Sequence, residues 1–170
     1  MSIAIQKLNH FAYRCRDAEE TRHFYEDILG LPLYHIVRAD NVPSTGEHNP
    51  FCHLFFKMND GSCVAFFDLG DDVAADPSPN TPAWVNHLAL EVSTRDELLA
   101  FKSKLEAAGI AVLGVTDHHT MESIYFFDPN GLRVELACWK VSMDYMEREA
   151  KRAHAQLDEW TAQKRAHLDG

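Results

Sequence analysis

No apolar run in this chain approaches the roughly 20 residues that a membrane-spanning helix needs, and its opening residues, MSIAIQKLNH, hold no apolar core like that of a secretory leader. A cytoplasmic protein with no membrane partner is therefore expected. Basic residues are scarce: 16 Lys and Arg stand against 26 Asp and Glu, giving a net charge of −10 and a pI near 5.4. That balance speaks against nucleic acid and against an anionic membrane surface as partners. Cysteines are few, at 15, 52, 63 and 138, with no C-x-x-C among them, and they sit in apolar strand-like runs. They are expected to be reduced core thiols rather than a disulfide frame or a zinc site.

What the chain does have is one pattern written twice. Residues 7–15 (KLNHFAYRC) read as a strand, and Asp17 stands before a helix over 18–29 that Gly30 ends. Glu19 and Glu20 fall in its first turn, where negative charge suits the helix dipole. Strands over 31–37, 51–58 and 62–69 follow, with a loop over 38–50 and a hairpin turn at Asn59-Asp60-Gly61. Residues 70–83, with three prolines and three acids, read as a linker. A strand over 84–92, a helix over 95–108 capped by Gly109, and a strand over 110–115 then repeat the order. The repeat closes on a hairpin whose strands, 123–127 and 132–138, meet at Asp128-Pro129-Asn130-Gly131. LNHFA at 8–12 matches VNHLA at 85–89, and NDGSCVAF at 59–66 answers PNGLRVEL at 129–136.

The last hairpin and the loop before it carry His118, Tyr125 and Glu135. Residues two apart in a strand share a face, so Arg133, Glu135 and Ala137 lie together and Leu132, Val134 and Leu136 form the apolar side. A carboxylate in such a strand must be solvated, paired or bound to a cation, and a salt bridge to Arg133 or a lysine is one solution. His10 and His87 occupy matching positions in the two repeats. A single strand histidine is usually a hydrogen-bonded core residue; two at one repeat position suggest convergence on a pseudo-twofold axis. Glu135 would then be a third ligand, while its repeat partner, Ala65, can bind nothing. Two histidines and a carboxylate with open positions form a facial triad suited to Fe(II) first, and also to Mn(II), Co(II), Ni(II) or Zn(II).

With His10, His87 and Glu135 set in two β-α-β-β-β repeats, residues 5–138 resemble the vicinal oxygen chelate superfamily of glyoxalases, bleomycin-resistance proteins and extradiol dioxygenases. The stretch from Thr116-Asp117-His118 through Ile124-Tyr125 and D-P-N-G to Glu135 is similar to the extradiol signature, so single-domain extradiol-like members are the nearest match. The resemblance implies an α+β fold: two tandem βαβββ modules forming a cupped, partly closed mixed barrel with helices outside. It also implies that His118 and Tyr125 line the pocket beside the metal, hydrogen-bonding a catecholate oxygen. One departure is visible: Asp60-Gly61-Ser62-Cys63 lacks the acid–base histidine of extradiol enzymes, with His53 and His48 the nearest substitutes.

Domain organisation follows: one domain over 1–140 (module one 5–69, linker 70–83, module two 84–140) and an amphipathic helix over 141–170. Apolar groups at Met143, Met146, Ala150, Ala153, Leu157 and Trp160 give that helix a stripe that serves either its own domain or a second subunit. A homodimer is expected. The leading functional expectation is a divalent-metal dioxygenase that binds a catechol-like substrate through vicinal oxygens and cleaves it with O2. A glyoxalase-type lyase, isomerase or epimerase, and a non-catalytic small-molecule binder of the resistance kind, are the alternatives.

Overall fold

Each repeat folds into a four-stranded mixed sheet with a helix in its first crossover. The structure, a computed structural model, describes residues 4–168. In module one, β1 (His10–Cys15) leads into α1 (Ala18–Arg22), which runs on as a π-helical segment, His23–Ile28. Asp17 caps α1 by accepting from the Glu20 backbone N–H. Next come β2 (Leu33–Asn41), β3 (His48–Lys57) and β4 (Cys63–Asp68), ordered β1-β4-β3-β2 with β1 parallel to β4. Module two repeats this with β5 (Leu88–Glu91), α2 (Arg95–Ala107), β6 (Leu113–Asp117), β7 (Met121–Phe127) and β8 (Arg133–Trp139), ordered β5-β8-β7-β6. Thr94 and Glu97 close a capping box at the start of α2.

Three sequence expectations shift. The loop expected over 38–50 shortens, because Arg38, Ala39 and Asn41 pair with Cys52, Phe51 and His48. Pro50 falls at the irregularity between Ala39 and Asn41, where the ladder does not call on its missing N–H. His48 is therefore a strand residue, its Nδ1 3.1 Å from Asn41 Oδ1. The strand expected over 84–92 begins only at Leu88, leaving Trp84 and Val85 exposed. Finally, the expected cupped barrel is two separate sheets, with no strand of one among the hydrogen-bonded neighbours of the other.

The physical reason lies in α1 and the segment that continues it. Tyr25 is fully buried and packs on Phe56 and Phe66 of the first sheet, while Phe24 meets Phe126 of the second. The inner faces of both sheets thus share one core, which also takes in Leu98 and Leu105 of α2. One face of this segment, with Thr21, Phe24 and Tyr25, packs into that core, while Glu19, His23 and Asp27 stay exposed on its outside. The β7–β8 turn staples the modules together. Asp128 Oδ2 accepts the Tyr25 hydroxyl at 3.0 Å, and Asn130 accepts the Arg16 backbone N–H while donating to Thr21 Oγ1. Burial raises the Asp128 carboxyl above its ordinary value, against the opposing pull of its hydrogen-bond donors, Leu132 N–H first among them.

All four cysteines are free, and burial pushes the Cys15 thiol up to about 12, in keeping with inert core thiols. The terminal helix, α3 (Met143–Leu168), buries no residue against the rest of the chain. Among the described residues no helix is long and apolar enough to cross a membrane.

Candidate functional site

Strand alternation decides which side chains leave the core. On β8, Val134, Leu136 and Cys138 point inward, so Arg133, Glu135 and Ala137 face outward. Glu135 lies directly opposite Tyr125 on β7 and beside Ala89 on β5. His87 sits one residue before β5, on the same outer face as Ala89.

Four of the five predicted side chains meet there. His118 Nε2 lies 2.7 Å from the Tyr125 hydroxyl, which donates to Glu135 Oε1 at 3.0 Å. Glu135 Oε2 lies 3.0 Å from His87 Nε2. The Arg133 guanidinium stacks over the Tyr125 ring at 4.3 Å. Burial raises the Tyr125 phenol above its ordinary value, and its hydrogen bond to the Glu135 carboxylate adds to that.

The tautomers carry the chemistry. His87 Nδ1 is 2.9 Å from the Val85 carbonyl oxygen, so it must be the N–H that donates there. In a neutral imidazole this leaves a lone pair on Nε2, facing a carboxylate oxygen that also only accepts. Glu135 is 5% exposed, so water does little to relieve that opposition. The contact is satisfied by a proton on Nε2 or by a cation held between the two groups. A backbone carbonyl on one imidazole nitrogen is a common way of orienting the other toward a metal.

The fifth predicted residue, His10, is elsewhere. It stands at the start of β1, opposite Cys63 on β4, with its ring near His53 and Phe55 of the first sheet. Its Nδ1 donates to Asn9 Oδ1 at 2.7 Å, so its Nε2 is presented in the same way as that of His87. The expected gathering of His10, His87 and Glu135 within one chain is not found. Among the described residues no three His, Cys, Asp or Glu side chains surround a common point. Their matching repeat positions put them on the outer faces of two sheets whose inner faces share a core. A hollow of about 420 Å³ bounded by Arg38, Asp40, Phe51 and Asp68 touches none of the five.

Two features escaped the sequence reading. Alternation puts Arg133 on the Glu135 face, and the structure adds its stacking on Tyr125. Its signal was present, because Arg133 is two residues before Glu135 and pairs with Phe127, two beyond Tyr125. The other is that Phe55 corresponds to Tyr125: it pairs with Ala65 as Tyr125 pairs with Glu135.

A family model described as Glyoxalase/Bleomycin resistance protein/Dioxygenase superfamily matches residues 7–136. The chain belongs to that superfamily. Within it, biphenyl-2,3-diol 1,2-dioxygenase of Paraburkholderia xenovorans (strain LB400) is 26% identical over 132 residues, which is 76% of this chain and 40% of the relative. The chain thus spans about two fifths of the length of that curated relative. A glyoxalase/dioxygenase from Nostoc punctiforme has a TM-score of 0.59 at 25% identity, covering 83% of this chain and 99% of that one. The trypanothione-dependent glyoxalase I of Leishmania major has a TM-score of 0.65 at 15% identity, covering 89% and 99%, a likeness of fold alone. The superfamily assignment agrees with the tandem βαβββ order.

Proposed function

We propose that this protein is a divalent-metal enzyme that binds a small aromatic substrate through vicinal oxygens and oxidises it with O2. The observation that carries the reading is the line His118–Tyr125–Glu135–His87, in which a buried carboxylate lies 3.0 Å from the outward nitrogen of an imidazole. The donor set, imidazole nitrogen and carboxylate oxygen, fits Fe(II) best and also suits Mn(II), Co(II), Ni(II) or Zn(II). His87 and Glu135 would hold the ion, whereas His10, beside His53 and Phe55 on the first sheet, does not join them within the chain. Once bound, the ion would supply Lewis acidity, lowering the pKa of a hydroxyl bound to it.

The chain's own groups then divide the remaining work. Tyr125 and His118 form a two-member proton path that ends at the protein surface, where His118 is exposed. A phenol whose pKa is raised stays protonated, and with Glu135 engaged by a cation the Tyr125 proton that now goes to Oε1 can turn to hold a substrate oxyanion. His118 can accept the proton that a substrate hydroxyl releases and pass it to water. Arg133, stacked on the phenol, adds positive charge beside the developing anion. The likeness to a biphenyl-2,3-diol dioxygenase supports a catechol-like ring as substrate.

Anaerobic loading with Fe(II), followed by O2-uptake measurements with a panel of catechols, tests this reading. Uptake that depends on both iron and a vicinal diol, and that falls at least tenfold in Glu135→Gln, is expected. Metal binding without O2 uptake would favour a glyoxalase-type lyase or isomerase instead. Absence of metal binding would favour a small-molecule binder, a reading that the separation of His10 from the other two ligands also supports.

A further inference from the structure

The terminal helix carries an apolar stripe with nothing packed on it. α3 buries none of its residues, and every residue from Ala150 to Trp160 is exposed. Leu157 is 59% and Trp160 62% exposed. Met143, Met146, Ala150, Ala153, Leu157 and Trp160 recur at alternating spacings of three and four, which sets them in one seam along the helix. An amphipathic helix draws most of its stability from whatever covers its apolar face, and the chain's own modules do not bury this one. α3 also lies beyond residues 7–136, the part matched to the superfamily, so the superfamily fold does not account for it.

The order of residues along the seam selects its occupant. Small side chains come first, Ala150 and Ala153, and large ones follow, Leu157 and Trp160. In two antiparallel copies that cross at Ala155, every small residue meets a large one. Ala150 then faces the partner's Trp160, and Ala153 faces the partner's Leu157. One layer further out, Met146 faces the partner's Lys164. The lysine stem lies along the methionine, and its ammonium reaches Glu147 and Glu149 on either side of the seam. The other flanking positions, His154, Gln156, Thr161 and Gln163, set no like charges against each other at neutral pH. A parallel pair does the opposite: it stacks alanine on alanine, which leaves gaps, and sets Lys164 against the partner's Lys164. The helix carries five acidic and five basic residues, so an anionic membrane surface gains nothing from its net charge.

We propose that the occupant of this seam is α3 of a second copy, the two helices forming an antiparallel pair that ties two chains together outside their folded modules. Size complementarity sets the register in the middle of the pair, and opposite charge fixes the direction at both ends. The pair uses no residue of the His118–Tyr125–Glu135–His87 line, so it stands or falls apart from the metal-enzyme reading.

Charge reversal in the full-length protein tests the proposal. Sedimentation of a dilution series from roughly 100 µM to 1 µM gives the dimer Kd. Trp160→Ala removes the largest side chain of the seam and should raise that Kd at least about tenfold. Lys164→Glu puts a carboxylate against Glu147 and Glu149 at both ends of the pair and should raise it about tenfold. The double variant Glu147→Lys, Glu149→Lys should weaken the pair to a similar degree. All three reversals in one chain restore opposite charges between antiparallel helices, and Kd should return to within about threefold of the wild type. In a parallel pair the triple variant still sets glutamate against glutamate at 164 and recovers nothing. Circular dichroism checks that each variant keeps the wild-type domain fold.

Recovery in the triple variant, with weakening in the variants it combines, supports the antiparallel pair. A wild type that stays monomeric across the series overturns it. So does a dimer whose Kd ignores Trp160→Ala and Lys164→Glu, because other surfaces then hold it. A triple variant as weak as Lys164→Glu alone overturns the antiparallel direction. A monomer whose Tm falls on Trp160→Ala also overturns the proposal, because the seam then packs on its own domain.

Discussion

Replacing Tyr25 by Phe isolates the bond that staples the two modules. The ring keeps its packing on Phe56 and Phe66, and only the hydroxyl that donates to Asp128 Oδ2 at 3.0 Å is lost. Both residues are buried, so water does not replace the missing donor. A hydrogen bond to a charged acceptor contributes about 1.5–3 kcal/mol. In a chain of 170 residues, at roughly 2–4 °C per kcal/mol, that is a fall in Tm of about 3–12 °C. The effect carries a pH signature. The folded-state pKa of Asp128 is raised, so folding favours its protonated form and the cost of burying its charge disappears as pH falls through that pKa. The Tyr25 hydroxyl stabilises the charged form, so the penalty of Tyr25→Phe is full where Asp128 is charged and shrinks as Asp128 protonates. Thermal unfolding followed by near-UV circular dichroism at pH 7 and in steps down to pH 4.5 measures it. Asp128→Asn as partner in a double-mutant cycle isolates the pair. A Tm change of under ~1 °C at pH 7 would refute the assignment of this bond as a module clamp.

Other consequences follow from the same coordinates. The His53 imidazole, lowered to about 4 mainly by burial, stays neutral in the fold and protonates near 6.5 when unfolded. Its contribution is therefore full above pH 6.5 and is lost as pH falls toward about 4, by roughly 2–3 kcal/mol. His53→Phe should flatten that slope in urea titrations, and an unchanged slope would show that other groups cause it. His118→Ala removes the outer member of the proton path without touching Glu135, so kcat should fall about 10²-fold with bound metal unchanged. Loss of metal in that variant would place His118 among the ligands instead. Deleting residues 143–170, whose helix buries no residue, should shift Tm by less than about 2 °C. A larger fall would mean that the helix packs against its own domain.

Some of this was legible without coordinates. The duplicated N-H motif, the matching glycine turns and the Pro-rich spacer were enough for two βαβββ modules, because periodicity and turn chemistry are local properties. The same holds for the outward face of β8: once Leu132, Val134 and Leu136 are seen to alternate, Glu135 must stand on the other side. The meeting of Glu135 with Tyr125 was within reach too, since a hairpin of known turn sets its own register.

The arrangement of one module against the other was not legible. Equivalent positions in a repeat can converge on an axis or face opposite ways, and the choice depends on which surfaces bury the large aromatic side chains. Here Tyr25, a helix residue with no strand periodicity to mark it, packs on the first sheet and donates to Asp128 beneath the second, fixing the sheets back to back. The order of elements and the outward positions of His87 and Glu135 thus came from alternation and turns along the chain. Which sheet faces lie against each other was decided by contacts between residues about a hundred positions apart, and no local pattern encodes them.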